Sequence, residues 1–199
     1  MRKLLLAAAF VASAAAANAQ ATFGVKAGLN VSSIKTKAGD ESETSDSKVG
    51  FNVGGFANVP LSTNFSFAPE LVVSTEGGVD KGDEWEEKTN LTYVNVPVLF
   101  QYNASGFFAH TGPQVGFLLA AKSKWEEDGE KGDEDIKKYM KGVNFSWAIG
   151  AGYKLPSGLG FNARYNLGLS NIADTESDDD DYSAKASTIQ VGITYTLGK

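Results

Sequence analysis

His110 is the only histidine in a chain of 199 residues that has no cysteine. A lone imidazole supports nucleophilic catalysis only beside an activated hydroxyl and an orienting carboxylate, and an ordinary metal centre needs several ligands around it. Ser105, Ser146 and Ser187 are available as hydroxyls and Glu70 as a carboxylate. None of them sits in a G-x-S-x-G elbow, an H-E-x-x-H pair or a P-loop. A barrel-embedded hydrolase built on His110, a serine and Glu70 is therefore the minor reading, and no cofactor is expected. The absence of cysteine excludes disulfides and thiolate metal sites.

The remaining residues with chemical potential are carboxylates. They cluster as Asp40, Glu41, Glu43 and Asp46; as Asp83, Glu84, Glu86 and Glu87; as Glu126, Glu127, Asp128, Glu130, Asp133, Glu134 and Asp135; and as Asp178, Asp179, Asp180 and Asp181. Dense carboxylates attract hard cations, and the run Asp178, Asp179, Asp180 and Asp181 is the first place to expect weak calcium binding. No cluster has EF-hand spacing, and such runs are expected to be solvated loops held extended by mutual repulsion. Trp85 and Trp125 lie inside two of these clusters. An exposed tryptophan is costly unless it packs on its loop, touches an interface or meets a ligand, so both are candidate contact residues.

Charge and targeting set the frame. Arg2 and Lys3 precede an apolar segment over 4–11, and Ala17-Asn18-Ala19 forms an A-x-A cleavage site. Residues 1–19 are thus predicted to be a signal peptide, and 20–199 the mature domain. Without Arg2 and Lys3 the chain carries 16 basic against 24 acidic side chains. Such a surface repels nucleic acid and anionic headgroups, which excludes polynucleotide partners and charge-anchored membrane binding. No later run is long and apolar enough for a membrane helix. A membrane location then requires a closed sheet, because only helices and closed barrels satisfy every backbone group in hydrocarbon.

Period-two alternation supplies that sheet. Phe23, Val25, Ala27, Leu29 and Val31 share one face, with Lys26 among the residues opposite. Seven further segments repeat the pattern, placing Glu70, His110, Lys154 and Arg164, with Gln101, Gln114, Asn95, Asn144, Asn162 and Asn166, on the face that also holds the glycines. The connections alternate between tight turns (60–62, 103–106 and 156–158) and long charged stretches (34–47, 75–89, 122–141 and 171–186). Every acid except Glu70 falls in the long stretches. Eight segments of about ten residues, joined alternately by short turns and long loops, predict an all-β fold: an eight-stranded antiparallel up-and-down transmembrane β-barrel. Its larger side chains would meet lipid and its small polar face would fill the interior. Phe23, Phe65, Tyr102, Phe107, Tyr153 and Tyr195 are expected near one rim or the other. A soluble secreted barrel holding a small apolar ligand is the alternative, and it would turn the apolar faces inward.

Enclosed charges should be paired. Glu70 is the one acid on the inner face, so it is expected to neutralise Arg164 or Lys26 in a structural network with Lys154 and His110.

The segments F-G-V-K-A-G-L-N-V-S (23–32), V-G-F-N-V-G-G-F (49–56), Y-V-N-V-P-V-L (93–99), G-P-Q-V-G-F-L-L-A-A (112–121) and I-T-Y-T-L-G (193–198) resemble the small outer-membrane β-barrels of Bacteroidetes. They are similar to the PorT-like barrels and, more distantly, to the OmpA and OmpX type. The resemblance spans 22–199. It implies an outer-membrane location with no catalytic residues, although the terminal Leu197-Gly198-Lys199 lacks the aromatic that often ends such chains. The function expected is non-enzymatic, structural or adhesive. Outer-membrane lipid is the surrounding partner, and an extracellular protein, polysaccharide or divalent cation meets the acidic loops. A monomer with periplasmic termini is expected.

Overall fold

The computed structural model describes residues 21–82, 84–127, 129–174 and 182–198. The predicted signal peptide and the candidate calcium run Asp178, Asp179, Asp180 and Asp181 lie outside them. The described residues form one antiparallel sheet of ten strands rather than eight. They are β1 (Thr22–Ala38), β2 (Glu41–Thr44), β3 (Asp46–Pro60), β4 (Phe65–Lys81), β5 (Trp85–Ala104), β6 (Phe107–Glu127), β7 (Glu130–Asp135), β8 (Val143–Lys154), β9 (Leu159–Gly168) and β10 (Tyr182–Thr196). The eight long strands are the eight alternating segments of the sequence. The additions, β2 and β7, come from the long connections.

Those connections correct the expectation of extended, solvated loops. Strands β4 and β5 continue through the acidic stretch, pairing as far as Lys81 with Glu86. Likewise β6 runs to Glu127 and folds back through β7, with Trp125 opposite Gly132. Repulsion between carboxylates is offset here by backbone pairing and by cross-strand ion pairs such as Lys131–Glu126 at 3.0 Å. The tight connections are true turns. Between β5 and β6, Ser105 and Gly106 both have positive φ, at 50° and 88°, the backbone demanded by a two-residue hairpin turn that follows the sheet twist.

Consecutive long strands are hydrogen-bonded neighbours from β1 to β10. The last strand also pairs with the first, from Gly24 with Thr196 to Ala38 with Tyr182. Each long strand therefore has a long neighbour on both sides.

Alternation decides what each face presents. Large apolar side chains stand exposed along every long strand, among them Leu29, Phe51, Phe100, Phe145, Ile149, Phe161 and Ile193. Polar groups on this face are locally satisfied: the Trp147 indole donates to Thr111 Oγ1 at 2.9 Å, and the Thr111 hydroxyl donates to the Ala148 carbonyl. The opposite face buries Lys26, Asn30, Asn52, Glu70, Asn95, His110, Gln114, Arg164 and Gln190. This arrangement inverts that of a water-soluble domain, in which buried charges are rare. The six aromatics assigned to the rims all lie at the tight-turn end, each exposed, with Phe65 and Tyr102 in tilted contact at 5.2 Å between centroids.

At the long-connection end the buried face turns apolar. Leu91, Tyr93, Leu118, Ala121, Ile172, Ala184 and Ala186 form a cluster there. The segment after β9 folds across this end: the Ile172 amide donates to the Ala184 carbonyl, its own carbonyl accepts from the Lys141 amide, and Met140 bridges to Ala173. Ile172 is fully buried as a result.

Candidate functional site

The charged residues of the buried face are brought together by register. Arg164 of β9 lies opposite Gly150 of β8, which in turn lies opposite His110 of β6. A side chain at Gly150 would press on the imidazole, since a Cβ there would fall 2.7 Å from His110 Nε2. The glycine therefore leaves room for Arg164 and His110 to meet across it. Lys26 of β1 and Glu70 of β4 reach the same face from a different part of the sheet, with only β3 between their strands. On β3, Gly54 pairs with Lys26 and Phe56 with Glu70, and Gly54 tolerates no Cβ beside the Leu71 carbonyl.

The result is a compact ion cluster. Arg164 donates from Nη1 to Glu70 Oε2 at 2.8 Å and from Nη2 to Oε1 at 2.6 Å. Lys26 Nζ donates to the same Oε2 at 2.9 Å. All three residues are buried. Arg164 Nε donates to His110 Nε2 at 3.0 Å. A guanidinium nitrogen cannot accept, so this contact fixes the histidine as the neutral tautomer with its proton on Nδ1. The ring stacks on Phe108 at 5.9 Å. Lys154 lines the same space nearer the rim. Among the described residues no hydroxyl of Ser105, Ser146 or Ser187 is hydrogen-bonded to His110: the Ser187 hydroxyl instead accepts from the Gly168 amide.

Above this layer lies a second one that sequence reasoning missed. Glu76 is buried in β4, so Glu70 is not the only acid on the inner face. The sequence placed Glu76 in a loop because β4 was expected to end near Ser74. The strand continues to Lys81 and parity keeps residue 76 inward, while the next residue, Gly77, takes a positive φ of 145°. The Glu76 carboxylate accepts from the Ser74 hydroxyl at 2.6 Å and from Asn95 Nδ2 at 3.2 Å, and Thr188 also bonds it. Asn30 and Asn52 extend the layer through a 2.7 Å amide contact. The even spacing of Glu70, Ser74 and Glu76 was the available signal.

Trp85 and Trp125 stand at the long-connection end, 45% and 43% exposed. Each ring lies over a glycine of its own hairpin, Gly82 and Gly132 respectively, so both pack on the loop scaffold while keeping an open face. Around them the acids are dispersed: among the described residues no group of three or more histidine, aspartate or glutamate side chains is placed to hold a metal ion. On the end of the β4–β5 hairpin, beyond the exposed apolar residues of those strands, Asp80 is held above the ordinary aspartate range by burial first, then by Glu87, Glu43 and Asp46.

An antiparallel sheet whose first and last strands pair, with apolar side chains outward and ions inward, defines the outer-membrane class of β-protein. Comparison with known proteins makes this specific: the model of the outer membrane protein β-barrel domain matches residues 15–174, and the chain belongs to that family. Its location is the outer membrane. Among solved structures, the chain is similar to Neisserial surface protein A, with 9% identity, a TM-score of 0.54, and coverage of 88% of this chain and 97% of that one. It is also matched to Ail, the attachment invasion locus protein of Yersinia pestis, at 12% identity and a TM-score of 0.47, covering 88% and 98% of the two chains. At such identity the Neisserial likeness is one of fold. Comparison with curated sequences finds no match.

Proposed function

We propose that the sheet closes into an eight-stranded barrel which, after loss of the signal peptide over 1–19, spans the outer membrane as a non-enzymatic structural or adhesive protein. The observation that carries this reading is the inversion of faces. Lys26, Glu70 and Arg164 are buried while Phe51, Phe100, Ile149 and Phe161 stand open, an arrangement stable only if the open face meets hydrocarbon. The β1–β10 pairing supports closure. The aromatic ring at the tight-turn end supports a headgroup boundary there, with the turns and both termini periplasmic and the long hairpins outside. A soluble barrel holding an apolar ligand is disfavoured, because its inner face would have to be the apolar one. Within the wider family, the motifs between 23 and 198 favour the PorT-like branch of Bacteroidetes.

The outward hairpins carry the contact function in this reading. Trp85 and Trp125 offer open aromatic faces amid carboxylates, suited to a surface protein, a polysaccharide or a divalent cation. The test has two parts. The mature chain should fractionate with outer membranes and migrate faster on a gel unboiled than boiled, since a closed hydrogen-bonded sheet resists detergent. On intact cells, external protease should cut near residue 128 and leave the β5–β6 turn whole. Recovery as a detergent-free soluble monomer would defeat the barrel, and cleavage at Ser105 from outside would reverse its orientation.

A further inference from the structure

A cavity of about 360 Å³ opens at the tight-turn end of the buried face, with its mouth bordered by the turns that follow β3 and β5. Its floor is the ion cluster of Lys26, Glu70, His110 and Arg164, and its walls include the rings of Phe56 and Phe108. We propose that this cavity binds a small organic carboxylate, its anionic head against Lys26 and Arg164 and its body between the two phenylalanine rings.

The hydrogen-bond inventory of the floor points to an acceptor. Lys26 has three N–H donors and directs one to Glu70. Arg164 has five, of which one goes to His110 and two to Glu70. Among the described residues, four donors on these two buried cations therefore have no protein acceptor. Glu70 already accepts three of the bonds made, and neutral His110 accepts through Nε2. Charge runs the same way: two cations face one carboxylate, which leaves a net positive floor. A ligand that brings acceptors only and one negative charge completes both inventories at once, whereas a cation or a pure donor completes neither. A planar carboxylate suits the forked donors of a guanidinium better than a spherical ion does. The aromatic and amide walls accommodate an organic body, since pockets for small molecules pair mostly apolar walls with a few placed polar groups.

Thr194 lines the cavity and pairs directly with Lys26 across β10 and β1, so a larger side chain there fills part of the space while every charge of the floor is retained. The experiment is calorimetric titration of the folded mature protein in micelles with benzoate, with benzamide as its uncharged counterpart and with inorganic phosphate. Benzoate is expected to bind saturably, at least tenfold tighter than either benzamide or phosphate. Thr194→Phe should abolish that binding with the gel shift intact, and Lys26→Met should weaken it at least tenfold. The proposal is overturned if benzoate does not saturate, if benzamide or phosphate binds as well, or if Thr194→Phe, which retains every charge, binds benzoate unchanged. A Lys26→Met variant that fails to fold leaves the Thr194→Phe comparison to decide.

Discussion

Arg164 grips Glu70 through two parallel hydrogen bonds, 2.8 and 2.6 Å long, across a separation of 94 residues in the chain. Lys26 shares one of the same carboxylate oxygens. Removing the carboxylate strands two buried cations, and removing the guanidinium strands part of one carboxylate and the His110 acceptor. Each of Glu70→Ala and Arg164→Ala should therefore destabilise by ~3–5 kcal/mol, the usual cost of breaking a buried pair by removing one partner. The double variant should cost clearly less than the two singles combined. Unfolding titrations in one lipid system measure all three, and small additive effects would show that the pair contributes nothing as a pair.

The exposed apolar face makes a different demand. Ile149 lies near the middle of β8, 58% exposed, between Thr111 and Tyr165 on the neighbouring strands. If that face meets hydrocarbon, Ile149→Lys should cost ~2–4 kcal/mol of folding free energy in bilayers, the penalty of a cation near the midplane. The same change at Leu61, in the β3–β4 turn and equally exposed, should cost under ~1 kcal/mol. Equal small effects at both positions would mean that both meet water.

Which parts of this were legible in the sequence follows from what alternation can and cannot encode. Alternation carries the face on which a residue lies, so Lys26, Glu70, His110 and Arg164 are assignable to one side from parity alone. It does not carry register, and the meeting of Arg164 with His110 depends on Gly150 standing between them. It also fails where a bulge intervenes. Thr92 of β5 pairs with Ala120 of β6 but Tyr93 with Leu118, so Leu119 is the extra residue and the inward positions of β6 change from even to odd. Ala121 and Ser123 thereby point inward, and sequence parity would have sent them out. Strand ends were misjudged because charge was taken as a mark of a loop, although cross-strand pairing tolerates it. Glu76, hidden by that rule, is the residue it cost most.

If the sheet closes as proposed, the apolar cluster at the long-connection end should be the mechanical plug of its interior. Ile172 is fully buried there against Leu91, Tyr93 and Leu118, and the proposed eight-stranded barrel, filled by side chains, would leave no opening wide enough for a sugar. Planar-bilayer recordings of the wild type should show no large, steady conductance. Ile172→Ala should cost ~2–5 kcal/mol, typical of truncating a buried aliphatic side chain. A stable, sugar-permeable channel in the wild type would contradict the plugged interior.

The hairpin joining β4 and β5 should respond to pH through its carboxylates. Asp80 pairs with Glu87 across β4 and β5, and burial together with Glu87, Glu43 and Asp46 raises its pKa above the ordinary 3.8. The folded hairpin thus binds a proton more readily than the unfolded one. Its stability is lowest at neutral pH, rises as pH falls through the raised value, and has gained its full increment below 3.8. Glu86 acts in the opposite sense. The hydrogen bond from Lys88 lowers its pKa most, so its contribution is present above 4.5 and is lost as pH falls through its lowered value. Asp80 therefore dominates on the way down from neutrality. Replacing it with asparagine should raise hydrogen-exchange protection of the Val79 and Lys81 amides at neutral pH. Because the side chain is largely exposed, the gain should be no more than ~0.2–1 kcal/mol. The same variant should flatten the dependence on pH from neutrality down through the raised value of Asp80. Protection that falls in Asp80→Asn at neutral pH would show that the carboxylate is held by a favourable contact and is not repelled by its neighbours.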